Sequence, residues 1–146
     1  MNARSLLSRT GGILLDTHVI SESTKLRPDP LVTAYLKERR PEHTFLSALT
    51  LGELRKGAAL RARRDRLAAD AIGLWIDEIA KGYGDRVLAI NNEIARLWGE
   101  LNAQRTRPFV DALLAATAIH HGLTLVTRNT KDVQDTPAVL HNPWLR

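Results

Sequence analysis

The sequence predicts an α/β protein with a central parallel sheet of four to five strands flanked by helices. Short apolar runs alternate along the chain with helical patterns of ten or more residues, and this order requires crossover connections between parallel strands. The first run, residues 13–15, is continuously apolar, as expected of a strand buried on both faces. The 146 residues are enough for one hydrophobic core, and no repeat or linker divides them.

The first half of the chain supplies two strands and two helices. A loop marked by Pro28 and Pro30 follows the first strand, and a short helix from Leu31 ends before Pro41 after a basic last turn. An apolar run over residues 43–48 is the second predicted strand. Residues 50–62 then form a helix.

Longer helices and three more strands follow. Residues 65–81 are helical, and their predicted inward stripe consists of Leu67, Ala71, Leu74, Trp75 and Ile79. The remaining strands cover residues 86–90, 123–127 and 138–141. Helices cover residues 93–104, with Trp98 on the inward face, and residues 108–121, where Pro108 suits a first helical position and Gly122 a C-cap.

Composition narrows the classes of function. The absence of cysteine excludes disulfides and thiolate metal sites and fits a reducing cytoplasm. No run reaches the roughly 18 apolar residues of a membrane span. The net charge of +5 suits a polyanionic partner, although it also serves solubility. Residues 1–12 carry Arg4 and Arg9 without an acid, and we expect a short, poorly ordered extension there rather than a targeting segment.

Acidic residues are predicted to converge at one edge of the sheet. Asp16 follows the first strand, Glu53 and Asp111 lie in first turns of helices, and Asn129 and Asp132 follow the fourth strand. Sites in open α/β sheets form at the carboxyl ends of the strands, and clustered carboxylates need a cation because they repel one another. Three hard oxygen donors without cysteine favour Mg²⁺ or Mn²⁺ over zinc.

Each of these residues also has a purely structural interpretation. Asp16 suits an N-cap, and Glu53 stands three residues after Thr50, which is the spacing of a capping box. Asp111 is favoured by a helix dipole. Asn129 and Asp132 are typical loop residues.

The order of the motifs resembles the PIN-domain ribonucleases, specifically the VapC-type toxins of bacterial toxin–antitoxin pairs and their FitB-like subgroup. The matching segments are "ILLDTHVISE", "LSALTLGELRKG", "RVLAI", "IARLWGEL", "DALLAATAIHHGLTLVTRNTKD" and "NPW". The resemblance covers residues 13–146, the predicted PIN domain.

By position, the resemblance makes Asp16, Glu53 and Asp111 the metal-binding acids. Where many members carry a fourth acid this chain has Asn129, so either Asn129 or Asp132 completes the catalytic set. The family also commonly has asparagine at the position of His18, which is interpreted here as a surface histidine or a phosphate contact. Hydroxyl groups near the same edge are candidates for orienting ligands: Thr17, Ser47, Thr50 and Thr127.

The resemblance implies Mg²⁺-dependent hydrolysis of RNA that leaves a 5′-phosphate and a 3′-hydroxyl. It also implies a VapB-type antitoxin, a homodimer that forms a hetero-oligomer with this antitoxin, and contact with DNA only through the antitoxin. Few aromatic residues are available for stacking on bases, which favours a structured RNA such as tRNA. The candidate RNA-binding residues are Arg55, Lys56 and Arg128, together with the weaker candidates of residues 61–66, Arg105 and Arg107.

The sequence leaves two alternatives to the nuclease to be considered. An RNA- or protein-binding module of PIN-like fold is the main alternative to the nuclease, because Asn129 removes one acid. A phosphotransfer enzyme of haloacid-dehalogenase type is disfavoured, since its pattern needs a second aspartate where His18 stands.

Trp75 and Trp98 fit either core packing or a subunit interface.

Overall fold

A computed structural model describes residues 11–146, so most of the extension predicted over residues 1–12 lies outside the described residues. Five parallel strands form one sheet in the order β3-β2-β1-β4-β5, which confirms the predicted α/β class. The strands are β1 (Ile13–Leu15), β2 (Thr44–Ser47), β3 (Val87–Leu88), β4 (Thr124–Val126) and β5 (Val139–His141). Each predicted strand is present and is one to three residues shorter than its apolar run, except β1, which matches it.

The central strand β1 explains why the sheet is covered on both faces. Leu14 points into one hydrophobic cluster with Phe45 and Leu125, whereas Ile13 and Leu15 point into the other. All three residues of β1 are at most 3% exposed. Alternating side chains therefore enter two separate cores, and a continuous apolar run is the pattern that this position requires.

Six helices cover the sheet within the described part of the chain. They are α1 (Thr17–Glu22), α2 (Pro30–Lys37), α3 (Ala48–Ala62), α4 (Arg66–Tyr83), α5 (Asn92–Gln104) and α6 (Phe109–His121), with 3-10 turns at Pro41–His43 and Gly84–Arg86. The side chains of Asp29, Asp65 and Asn91 cap α2, α4 and α5. Gly122 ends α6 in the left-handed conformation, as predicted. Pro108, however, is the N-cap of α6 and not its first residue.

The start of α3 differs from the prediction. Its N-cap is Ser47, whose hydroxyl accepts a hydrogen bond from the Leu49 N–H at 3.1 Å, so the helix begins two residues before Thr50. The predicted capping box of Thr50 and Glu53 is therefore wrong. Glu53 lies in the second turn, where a side chain has no free backbone N–H group of the helix start to bind.

The stripe predicted on α4 is only partly correct. Trp75 and Ile79 pack against the core, but Leu67 and Leu74 are 85% and 68% exposed. The buried residues of this helix are instead Ala69 and Ile76, and Ile76 belongs to the same hydrophobic cluster as Leu54 of α3. Both series have helical spacing, and the spacing alone does not decide which of them is buried. No helix among residues 11–146 has the length and apolar character needed to cross a membrane.

Candidate functional site

Asp16 stands directly after β1, at the N-cap position of α1, and is 4% exposed. Its backbone carbonyl accepts hydrogen bonds from the N–H groups of Val19 and Ile20, but its side chain makes no capping hydrogen bond. The carboxylate instead accepts a 2.6 Å hydrogen bond from the Thr127 hydroxyl. Of the two interpretations left open by the sequence, side-chain capping is excluded, and the carboxylate is turned toward the end of β4.

Thr127 connects the ends of the two central strands. Thr127 follows β4 and is 2% exposed. Its hydroxyl group donates a hydrogen bond to Asp16, from which it is separated by 111 residues in the sequence. The same oxygen accepts a hydrogen bond from the backbone N–H of Asn129 at 3.2 Å. One hydroxyl therefore fixes the carboxylate after β1 and the start of the loop after β4.

The amide of Asn129 joins two acids on the other side of this site. Its Nδ2 donates to Asp111 Oδ2 at 2.9 Å and to Asp132 Oδ2 at 3.3 Å. Asp111 lies in the first turn of α6, as predicted. The loop after β4 and the start of α6 are thus joined through their polar side chains.

The electrostatics of Asp111 show that these acids form one cluster. Burial raises the pKa of the Asp111 carboxyl group, and the neighbouring carboxylates of Asp16 and Asp132 raise it further. The hydrogen bond from Asn129 and the nearby His18 oppose this increase. A folded carboxylate with a raised pKa is held in its charged form at a cost in free energy, and a cation near it would offset that cost.

Glu53 approaches the cluster from α3 through a neighbour of Asp16. Its Oε1 accepts a 2.6 Å hydrogen bond from the hydroxyl of Thr17, the first residue of α1. Thr17 directly follows Asp16, so this hydrogen bond brings Glu53 to the start of α1. The structure therefore places Glu53 beside the group formed by Asp16, Asp111 and Asp132.

Some of the other predicted polar residues contact the acids of the site, and others do not. His18 is largely exposed, with its Nδ1 at 3.8 Å from Asp16 Oδ2. Thr17 and Thr127 bind acids of the site, as described above. Ser47 serves as the cap of α3, and the buried Thr50 hydroxyl has no hydrogen-bond partner within the described residues.

Most arginines of the predicted RNA-binding rim are paired with acids of this chain. The pairs are Arg55 with Asp77, Arg61 with Asp65, Arg66 with Asp70, and both Arg105 and Arg107 with Asp135. Arg128 is different, because its guanidinium lies 5.0 Å from the ring centre of Trp144. Lys56 is exposed on α3.

One buried acid at the end of α1, Glu22, was not predicted from the sequence. Glu22, the last residue of α1, is 4% exposed and accepts a 2.9 Å hydrogen bond from the Asp29 N–H. It also forms a 2.9 Å ion pair with Lys25, and this contact lowers the pKa of Glu22. The only signal in the sequence is the spacing of Glu22 and Lys25, which is equally typical of an exposed helical pair.

The possible ligand atoms of the acidic cluster have the chemistry that a hard divalent cation prefers. Within residues 11–146 no three Asp, Glu or His side chains are arranged as a complete metal site. The amide of Asn129 instead points N–H groups at two carboxylates, which partly satisfies them as a cation would. The side chains of Asp16, Asp111 and Asp132 offer oxygen atoms as possible metal ligands, and the exposed imidazole of His18 is the nitrogen ligand close to them. A set dominated by oxygen matches the preference of Mg²⁺ and Mn²⁺.

Comparison with known proteins gives a consistent result. The family model described as the PIN domain matches residues 13–138. "VapC ribonuclease Y4jK" from Sinorhizobium fredii is 36% identical, with 90% of this chain and 97% of the relative covered. "Toxin FitB" from Neisseria gonorrhoeae is 31% identical, with 90% and 98% covered.

Solved structures agree with this result at the level of the fold. The crystal structure of FitAcB from Neisseria gonorrhoeae superposes with a TM-score of 0.84 at 30% identity and covers 90% of this chain and 98% of the other. The structure of FitAB bound to an IR36 DNA fragment has a TM-score of 0.83 at 28% identity, with 92% and 96% covered. By its family match, its identity to curated relatives and its fold, this chain belongs to the PIN domain family.

Proposed function

We propose that the chain is an Mg²⁺- or Mn²⁺-dependent endoribonuclease that acts as the toxin of a VapBC-type toxin–antitoxin pair in the cytoplasm. The observation that carries the proposal is the convergence of acids at the carboxyl edge of the sheet, where Thr127 binds Asp16 and the Asn129 amide bridges Asp111 and Asp132. Burial, together with the carboxylates of Asp16 and Asp132, raises the pKa of Asp111, and such repulsion is typical of a site that binds a cation.

Each side chain has a role that follows from its contacts. Asp16 and Asp111 hold the cation, and Thr127 fixes the orientation of Asp16. Glu53, oriented by Thr17, is a further ligand or the base that orients the attacking water. Asn129 and Asp132 take the place of the fourth acid of the catalytic set. When bound, the cation lowers the pKa of the attacking water and stabilises the charge that develops on the phosphate.

The biological context of the proposal comes from the relatives. One relative is named a VapC ribonuclease and another a toxin, and the FitAB structure contains DNA. On this basis the chain binds a VapB-type antitoxin, forms a homodimer that becomes a hetero-oligomer with the antitoxin, and contacts DNA only through it. A structured RNA such as tRNA is the proposed substrate.

A second candidate is a PIN-like module that binds RNA or protein without cutting. The observation that favours it is the Asn129 amide, which already donates hydrogen bonds to Asp111 and Asp132. If this bridge persists in the presence of Mg²⁺, the acids keep an amide as their partner and no cation enters.

An RNA cleavage assay on purified protein distinguishes the two candidates. Wild type should cut tRNA in Mg²⁺ or Mn²⁺ but not in EDTA, and both Asp16→Ala and Asp111→Asn should abolish cutting. Asp70→Asn is the matched control, because Asp70 lies on the exposed side of α4 in an ion pair with Arg66. Equal activity in all four proteins, or none in any of them with either metal, would refute the nuclease.

A further inference from the structure

A cleft lies between the end of α1, the loop that leads to α2 and the C-terminal segment. It has a volume of about 450 Å³, and its lining combines three basic residues, Lys25, Arg27 and Arg128, with Glu22, Asp29 and Trp144. Arg128 is flanked in sequence by Thr127, which binds Asp16, and Asn129, which binds Asp111. The loop after β4 therefore contributes both to this cleft and to the candidate metal site.

Two guanidinium groups of this cleft form no ion pair with a carboxylate within the described part of the chain. Arg27 is exposed, and Arg128 lies over the ring of Trp144, while its charge helps to lower the pKa of the Glu22 carboxyl group from a longer distance. This distinguishes them from Arg55, Arg61 and Arg105, which are all neutralised by aspartates of the same chain. An unpaired guanidinium keeps its planar set of N–H donors available for a phosphate.

The acids that line the cleft are already engaged by donors of this chain. Glu22 accepts from the Asp29 N–H and pairs with Lys25. Asp29 Oδ1 accepts from the N–H groups of Leu31 and Val32 at the start of α2. These carboxylates therefore oppose an incoming anion less than free ones would, and Glu22 fixes the position of the Lys25 ammonium.

Trp144 holds the Arg128 guanidinium in place before any ligand arrives. The backbone N–H of Trp144 donates to Asn142 Oδ1 at 2.9 Å, and Asn142 Nδ2 donates to the Arg128 carbonyl at 3.4 Å. The C-terminal segment thus contacts both the backbone and the side chain of Arg128. A guanidinium fixed in this way loses less conformational entropy when it binds a phosphate.

We propose that this cleft is a subsite for a backbone phosphate of the RNA next to the scissile bond, with Arg27 and Arg128 as the phosphate-binding residues. Lys25 stays paired with Glu22 and adds no free charge, and Trp144 is a positioning residue for Arg128. This inference rests on the ribonuclease function proposed above, because the acids of the metal site repel RNA and the substrate needs positive charge close to them.

The experiment measures RNA binding in EDTA, so that cleavage plays no part. Fluorescence anisotropy with labelled, unfractionated tRNA gives Kd over a series of salt concentrations. The variant Arg27→Gln/Arg128→Gln should weaken binding at least about fivefold and reduce the slope of log Kd against log salt by about 1 to 2, as expected for two lost phosphate contacts. Lys81→Gln/Arg96→Gln is the matched control, since it removes the same charge from two exposed residues of α4 and α5 that are not candidate RNA-binding residues.

Two more variants separate binding from folding. Arg27→Gln alone removes an exposed side chain and should retain the thermal unfolding of wild type with part of the affinity loss. Arg128→Lys keeps the charge and should restore most of the salt slope. An affinity loss no greater than that of the control pair would overturn the subsite.

The subsite and the nuclease can fail separately. A wild-type protein that cuts no tRNA but loses affinity in the Arg27→Gln/Arg128→Gln variant would refute the nuclease and support the subsite. If the double variant cuts tRNA with an unchanged KM, the nuclease stands and the subsite is wrong.

Discussion

Replacing Thr127 with valine tests whether one hydroxyl organises the acidic cluster. The change keeps the shape of the side chain but removes the 2.6 Å hydrogen bond to buried Asp16 and the 3.2 Å bond from the Asn129 N–H. A hydrogen bond to a charged group contributes about 1.5–3 kcal/mol and a neutral one about 0.5–1.5 kcal/mol. Together they predict a loss of about 2 to 4.5 kcal/mol in the free energy of unfolding.

Thermal unfolding in EDTA measures this loss. For a domain of this size the expected decrease in Tm is roughly 6 to 15 °C. Cleavage of tRNA should decrease at least about tenfold, since Asp16 loses the contact that orients it. Thr117→Val is the control, because Thr117 is equally buried but donates only to the Leu113 carbonyl of its own helix. If Thr127→Val destabilises the protein no more than Thr117→Val, the hydroxyl does not organise the site.

Three further substitutions test the neighbouring acids. Asp111→Asn should raise the free energy of unfolding at neutral pH in EDTA. Because the folded-state pKa of Asp111 is raised, the contribution of Asp111 to wild-type stability is lost as the pH rises from about 3.8 through the raised value, and urea unfolding should show the variant gaining stability relative to wild type across this range. Thr17→Val removes the hydrogen bond to Glu53 and should lower kcat about tenfold while the KM for tRNA stays constant. Asn129→Asp adds a carboxylate beside Asp111 and Asp132, so calorimetry should show tighter Mn²⁺ binding and urea unfolding a less stable metal-free protein.

Each of these three changes has a control elsewhere on the molecule. Asp70→Asn removes an exposed carboxylate and should leave the pH dependence of stability unchanged. Thr24→Val removes a hydroxyl that contacts only a backbone carbonyl, and Asn92→Asp adds the same charge on an exposed position of α5. A control that reproduces the effect of its partner substitution would contradict the corresponding prediction.

The sequence predicted the sheet well because strand burial leaves a local signal. The fully buried Leu14 and its neighbours form an uninterrupted apolar run only because two cores lie on either side of β1. The stripe on α4 was less predictable. Leu67 and Leu74 have the same helical spacing as the buried Ala69 and Ile76, and only the position of α3 decides which series is covered.

The sequence predicted that acids would converge at this edge of the sheet but not which residues they contact. Asp16 and Asp111 lie at the predicted ends of elements, whereas Glu53 was assigned to the wrong turn because the cap at Ser47 was missed. Thr127 and Asp16 form a hydrogen bond although 111 residues separate them in the sequence, and no local sequence pattern predicts this contact. Glu22 was missed for the same reason, since its burial depends on the loop that contains Asp29.

Asn129 explains how such a cluster is compatible with a folded protein when no cation is bound. The carboxylates of Asp16 and Asp132 already raise the pKa of Asp111, and a further carboxylate between Asp111 and Asp132 would add repulsion on both sides. The amide replaces that repulsion with two hydrogen bonds, at 2.9 and 3.3 Å. The metal-free fold is therefore less dependent on a cation than a site with four acids would be, and the same amide removes one negative charge that would attract it. Stability without metal and affinity for metal are thus opposed at a single position, which is why Asn129→Asp should change the two in opposite directions.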